Sequence, residues 1–421
     1  PVIILIFAPG FFDDQASDVE NRYDLAVAML RFTFPYLLFI SLTAFAGAIL
    51  NTNKQFWATA FTPVILNLVL IIAAGWIAPS ASSPGLVLAM AVLVAGFLQL
   101  LFLLSFLQRN GQLPRPKWGW QDSGVRKVIK LMIPSIIGSS AAQVNLLFNT
   151  LIASFLAAGS ISWIYYSDRL LEFPVGVFGV ALSTVVLPNL SSKSAGQNQA
   201  QFRSIVQWGI RIAFLVSVPA ATGLYILSGP LIATIFLGGN FNIHDLYMTQ
   251  YSLMAYAFGL IGLSMVLILA SAYYAKQNTK TPVKFGLIAM ATNASLSILF
   301  VTTLVLTNSP YPHMGLSLAF SCSTLLNAFL LFRGLIRERQ IKVDREEVAF
   351  LIRIVVATGA MVMLLVIFNP ELPVWLEQSL AERITHLMRL IPSAVLVYVL
   401  ALFCLGIRAR DIRVQTNPEP L

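Results

Sequence analysis

Three ionisable residues stand together inside an otherwise apolar run. They are Asp168, Arg169 and Glu172, within Ser162-Trp-Ile-Tyr-Tyr-Ser-Asp-Arg-Leu-Leu-Glu-Phe-Pro174. One unpaired charge at a bilayer centre costs about 2.5–3.5 kcal/mol on insertion scales, so three together require pairing or a polar cavity. At helical spacing Tyr165, Arg169, Glu172, Gly176, Gly179 and Ser183 fall on one polar or small stripe, and Pro174 predicts a kink just below the charges. A guanidinium in that setting has two uses. Its planar fork can hold an anionic group such as a pyrophosphate, or it can pair with Glu172 or Asp168 to fix helix packing; composition leaves both open. The preceding run offers Ser135, Ser139, Gln143, Asn145 and Asn149, with Pro134 near its start. An earlier run carries Arg31 close to Pro35, where an arginine can also snorkel to the interface. Enzyme chemistry finds no footing. His244, His313 and His386 are scattered, and no His-Glu-x-x-His, phosphate-cradling Gly-x-x-x-x-Gly-Lys or Gly-x-Ser-x-Gly occurs. Cys322 and Cys404 have no metal-ligand spacing, so neither a metal nor a cofactor is expected.

The elements that must position these residues are membrane spans. Apolar residues make up 57% of the chain and charged residues 11%, against about a quarter charged in soluble domains. Apolar runs of about twenty residues recur along the whole length, each enough to cross about 30 Å of hydrocarbon as a helix. The expected class is an all-α polytopic membrane protein with eleven complete spans. They are Ala26–Leu50, Phe56–Ile77, Gly85–Leu107, Val128–Leu156, Ile161–Leu190, Ile205–Leu227, Leu246–Tyr274, Pro282–Leu306, Gly315–Phe332, Val348–Phe368 and Leu390–Ile407. Pro230–Leu237 is expected as a short interfacial helix, and Pro1–Pro9 as the end of one further, partial span.

Lys and Arg alternate between loops. One set holds Lys54, Arg109 through Lys127, Lys193, Arg203, Lys276, Lys280, Arg333 through Arg345 and the Arg408–Arg413 tail. The other set is acidic, with Asp13, Asp14, Asp18, Glu20, Glu371, Glu377 and Glu382, and carries only Arg22, Arg383 and the boundary residue Arg389. This bias predicts cytoplasmic basic loops and a cytoplasmic C-terminus. Charges spread along membrane edges suit lipid head groups rather than nucleic acid. The basic segment Arg109–Lys130, with Trp118 and Trp120, reads as an interfacial joint between two halves.

An internal repeat supports the halves. Ala44-Phe-Ala-Gly-Ala-Ile-Leu-Asn-Thr-Asn-Lys54 and Ala270-Ser-Ala-Tyr-Tyr-Ala-Lys-Gln-Asn-Thr-Lys280 align at one offset, pairing Ala44 with Ala270, Ala46 with Ala272 and Asn67 with Asn293. Both loops fall in the basic set, so the repeat is parallel, a pattern of transporters.

Tyr165-Tyr-Ser-Asp-Arg-Leu-Leu-Glu-Phe-Pro-Val-Gly-Val-Phe-Gly-Val-Ala-Leu-Ser-Thr-Val-Val-Leu-Pro-Asn-Leu190 closely resembles the signature helix of the MurJ (MviN) lipid II flippases. Phe34-Pro35, Gly47-Ala-Ile-Leu-Asn-Thr52 and Lys280-Thr-Pro-Val-Lys284 are similar to that family's pattern, and the resemblance covers essentially the whole chain. It implies a two-lobed exporter fold of parallel six-helix repeats, like the multidrug/oligosaccharidyl-lipid/polysaccharide exporters, plus two extra C-terminal helices that help form a groove for the lipid tail. The implied divisions are residues 1–107 as the rest of the N-terminal lobe, 108–127 as a basic linker, 128–336 as the C-terminal lobe, 345–407 as the additional pair and 408–421 as a tail. Counted against the family, the first two helices and most of the third are missing, with several cavity arginines. The resemblance makes Arg169 a functional cavity arginine with Asp168 and Glu172 as its acidic neighbours, and Arg31 a basic position at the start of the fourth helix. Together with the amides Asn145 and Asn149, these are the expected substrate contacts. The implied function is translocation of undecaprenyl-pyrophosphate-linked disaccharide-pentapeptide (lipid II) across a bacterial cytoplasmic membrane by alternating access, for peptidoglycan synthesis. Lipid II, phospholipid and cell-wall synthesis proteins are the implied partners. The rival expectations are a related polysaccharide-lipid or multidrug exporter, and a non-transporting scaffold for cell-wall synthesis.

Overall fold

The computed structural model describes residues 1–11, 22–113, 119, 122–176, 199–341 and 344–408, without the side chains of 127, 130, 131, 133–142, 199 and 200. The helices are α1 (Val2–Phe7), α2 (Arg22–Thr33), α3 (Tyr36–Thr52), α4 (Phe56–Ile72), α5 (Pro84–Arg109), α6 (Ser123–Ser154), α7 (160–176) and α8 (Gln199–Ile226). They continue as α9 (Ser228–Ile235), α10 (Ile243–Ala275), α11 (Lys280–Leu306), α12 (Met314–Arg337), α13 (Arg345–Phe368), α14 (Leu372–Glu377) and α15 (Leu380–Cys404). Among the described residues the only β pairing is a single bridge between Gly238 and Phe241. Nine helical stretches are long and apolar enough to cross a bilayer, with α2 and α3 counting together as Arg22–Thr52. Helices α6 and α7 take the places of the two remaining expected spans. The continuation of α7 to Leu190, with Gly179 and Ser183, the Trp118–Trp120 joint and the acidic loop at 12–21 lie outside the described residues.

The chain forms two compact units, Pro1–Ser135 and Ile136–Leu421. In unit 1, α3 and α4 both pack on α5 around Ala46, Leu50, Ala58, Leu103 and Leu107. Pro35 interrupts the first long span between α2 and α3, because it has no N–H to give the helix. Pro63 sits inside α4 and deprives the Thr59 carbonyl of its helical donor; the Thr62 hydroxyl fills that gap at 2.9 Å.

In unit 2, α10 is the central helix, with α8 and α12 against it; α11 packs on α12, and α13 lies between α8 and α15. Close approach is permitted by glycine. A Cβ at Gly262 would stand 2.8 Å from the Leu325 nitrogen and 2.9 Å from the Thr324 carbonyl carbon, both backbone atoms of α12. Small residues at such contacts are how helices approach one another in lipid.

The structure corrects several boundaries. The last span begins at Leu380, ten residues before the expected Leu390, because Ser379 and Glu382 form a reciprocal capping box there. Arg383 and Arg389 are therefore helical, and Arg383 is buried. The short helix expected over Pro230–Leu237 is present as α9, and a second one, α14, was not anticipated from the sequence pattern.

The turns that close the two hairpins are alike, and at the sequence offset they fall three residues apart. In the first hairpin the Gln55 N–H donates to the Leu50 carbonyl; the equivalent bond in the second runs from Asn278 to Tyr273, whereas the sequence offset would pair Leu50 with Lys276. The same six-residue turn closes α5 (Gln112 to Leu107) and α12 (Gln340 to Leu335). It also closes α11 (Ser309 to Leu304) and α15 (Ile407 to Leu402); its left-handed residue is glycine at Gly111 and Gly406, whereas Lys54, Gln277 and Arg339 adopt positive φ of 62°, 57° and 56°.

Candidate functional site

Helix α7 carries the charged cluster, and its two faces differ sharply. It begins after a turn in which Gly159 has φ +98°, and a Cβ there would meet the Trp163 ring at 2.6 Å. Ser160, Trp163, Ser167 and Leu171 recur every three or four residues and are buried. Trp163 Nε1 donates to Asp245 Oδ1 at 2.8 Å, pinning α7 to the N-terminal cap of α10. The Ser167 hydroxyl lies 2.9 Å from the Thr249 carbonyl, and Leu171 packs with Ala221, Leu224, Tyr256 and Leu260.

The opposite face is unpacked within unit 2 and holds Tyr165, Arg169, Glu172 and Phe173. Arg169 Nη1 is 2.6 Å from Glu172 Oε2 and its Nη2 is 3.9 Å from Asp168 Oδ2, while its guanidinium lies 4.9 Å from the centre of the Tyr165 ring. The Arg169 and Glu172 side chains are 48% and 54% exposed. Arg169 stands nine residues into α7, roughly 13.5 Å along it at 1.5 Å per residue.

Every partner of Arg169 in these pairs belongs to α7 itself. An ion pair within one helix cannot tie two helices together, and pairs this exposed contribute only about 0–1 kcal/mol to stability in water. What the arrangement offers chemically is a guanidinium held upright by an aromatic ring and a carboxylate, with donors in reach of an incoming anion.

Two of the other expected contacts have hydrogen-bond partners of their own. Asn145 and Asn149 stand one turn apart on α6, half-buried, and face α11. Asn293 Nδ2 donates to Asn145 Oδ1 at 2.7 Å and to Asn149 Oδ1 at 3.2 Å, and Ser297 Oγ lies 3.5 Å from the same Asn149 oxygen. Their carbonyl oxygens thus clamp α6 to α11, and among the described residues no hydrogen bond joins either one to Arg169. Asn293, singled out by the repeat alone, is the centre of this clamp. Arg31 lies exposed in the last turn of α2, in the other unit.

Two histidines far apart in sequence meet at the Trp163 end of α7. The Trp163 ring lies 5.0 Å from His313 and 5.6 Å from His244. His313, in the turn before α12, is buried with Nε2 2.9 Å from the Met248 carbonyl, and burial pushes its pKa down. The Nε2–H tautomer therefore donates to that carbonyl in a neutral ring. Among the described residues no group of His, Cys, Asp and Glu could hold a metal ion.

The family model for the lipid II flippase MurJ matches residues 1–385. A probable lipid II flippase MurJ of Haemophilus influenzae is 41% identical over 98% of this chain and 81% of its own length. One from Vibrio cholerae is 40% identical over 99% of this chain and 78% of its own length. The fold is similar to a solved lipid II flippase MurJ in an inward closed conformation, with TM-score 0.73 and 23% identity over 96% of this chain and 79% of that one. A multidrug resistance MATE family transporter of the MOP superfamily, inward-facing, matches with TM-score 0.62 and 13% identity over 80% of this chain and 76% of that one.

Proposed function

Since the chain belongs to the lipid II flippase MurJ family, we propose that it translocates lipid II between the leaflets of a bacterial cytoplasmic membrane by alternating access. The single observation that carries the site assignment is the placement of Asp168, Arg169 and Glu172 on the face of α7 that unit 2 leaves unpacked. In this reading the diphosphate takes over donors that Arg169 otherwise gives to Glu172, and Tyr165 keeps the guanidinium plane oriented. Asn145 and Asn149 contribute the NH2 groups left over from their clamp. The exchange of one anion for another at Arg169 keeps its charge compensated at every stage, which matters within a membrane span. The test is reconstitution into vesicles with lipid II in one leaflet. The protein is expected to expose it in the other leaflet well above protein-free vesicles; equality of the two would sink the reading.

The orientation belongs to the same proposal. With Cys322 and Cys404 replaced, a cysteine at Glu377 is expected to react from outside cells with an impermeant thiol reagent. One at Arg339 is expected to react only after the membrane is opened. The reverse labelling would place the basic loops outside.

A further inference from the structure

Three polar ties join the α13–α15 hairpin to unit 2's α8 and α9, and two of them satisfy backbone carbonyls that helix geometry leaves bare. At one end, Arg211 of α8 grips Glu347 in the first turn of α13 through three contacts, Nε to both carboxylate oxygens at 3.1 and 3.0 Å and Nη2 to Oε1 at 2.7 Å. About two turns further along α8, Pro219 has no N–H to give the Leu215 carbonyl. Tyr398 of α15 supplies the missing donor, Oη to Leu215 O at 2.6 Å. At the far end, roughly 22 Å along α8 from Arg211 by helical rise, the buried Arg383 guanidinium donates to three carbonyls at helix C-termini. They are Ala233 of α9 at 2.9 Å, and Trp375 and Leu376 of α14 at 2.8 and 2.9 Å. Such last-turn carbonyls have no helical partner. Between the ties, Leu215 and Leu227 share one apolar core with Ile354, Met361, Leu387 and Ala394.

We infer that the α13–α15 hairpin is a fixed part of the unit-2 body and travels with it as one piece through transport. Pulling the hairpin away would leave the Leu215 carbonyl bare within a span and break the bond between the Arg383 guanidinium and the Ala233 carbonyl. An arginine, rather than a lysine, suits the far tie because one planar fork reaches three carbonyls from two helices. The inference rests on the proposed function for its transport consequence and on the contacts alone for the attachment.

The test locks the joint in the full-length protein with the native cysteines replaced. A Cβ at Gly229 of α9 would lie 2.9 Å from Leu372 Cδ1 of α14, so Gly229→Cys with Leu372→Cys places two thiols within disulfide reach. Oxidation is expected to give nearly complete intramolecular cross-linking. Lipid II translocation by the locked protein should stay within about twofold of its reduced form, because no gating motion crosses this joint. A fall beyond about tenfold on locking, reversed by reduction, would show that transport needs the joint to open and would overturn the inference. If the reduced protein fails to move lipid II, the functional reading falls and the cross-link yield still decides the attachment. A near-complete yield supports it, and a trace yield rejects it.

Discussion

Arg169→Ala in the full-length protein is expected to reduce lipid II translocation by about 100-fold or more while the protein accumulates normally in the membrane. Charge-assisted hydrogen bonds contribute about 1.5–3 kcal/mol each, so two lost to a diphosphate give that factor. Normal accumulation follows from the geometry. The side chain is half exposed, so truncation opens no core cavity, and the Asp168 and Glu172 carboxylates that lose their partner are themselves 33% and 54% exposed. Arg169→Lys should recover part of the activity, since it keeps the charge and loses the fork. Glu172→Gln should be milder, within about tenfold, if the carboxylate only holds Arg169 ready. Translocation and membrane abundance must be measured together. Normal transport by Arg169→Ala, or a loss explained wholly by missing protein, would remove the diphosphate role.

The second large effect is steric. Gly262→Ala is expected to destabilise unit 2, because its new Cβ would stand 2.8–2.9 Å from the α12 backbone, which cannot swing aside as a side chain can. Overpacking of this kind costs about 1–3 kcal/mol. For a unit of this size that corresponds to a melting temperature lower by about 2–5 °C in detergent. Gly262→Val should prevent accumulation altogether. Gly223→Ala is the control: nothing lies within 4 Å of its Cβ, and alanine favours a helix interior. Indistinguishable melting of the two alanine variants would show that α10 and α12 have slack at their contact.

The spans were legible in the sequence because hydrocarbon imposes both length and helicity, so composition alone places most of them. Their ends were less legible, since side chains, not hydropathy, decide them. Glu382 and Arg383 look like loop charges until Ser379 is seen to cap a helix and Arg383 to bury itself against three carbonyls. The stripe of Tyr165, Arg169 and Glu172 could be read from spacing because its members share one helix. The clamp of Asn293 on Asn145 and Asn149 could not, for its partners are 148 and 144 residues apart. The alanine identities and the capping turns of the two hairpins differ by three residues in register, and the turns leave no strong mark on residue type. Lys54 and Gln277 occupy a left-handed position where glycine is the usual signal.

Those turns also set a conflict for how the chain is made. A left-handed non-glycine residue costs roughly 1 kcal/mol, so glycine at 54 or 339 would make the finished protein sturdier. Yet Lys54 and Arg339 place a cation beside the partial negative charge of a helix end. They also stand among the basic residues that orient hairpins as they enter the membrane. Backbone strain at these two corners is thus the cost of keeping a cation where glycine would leave none.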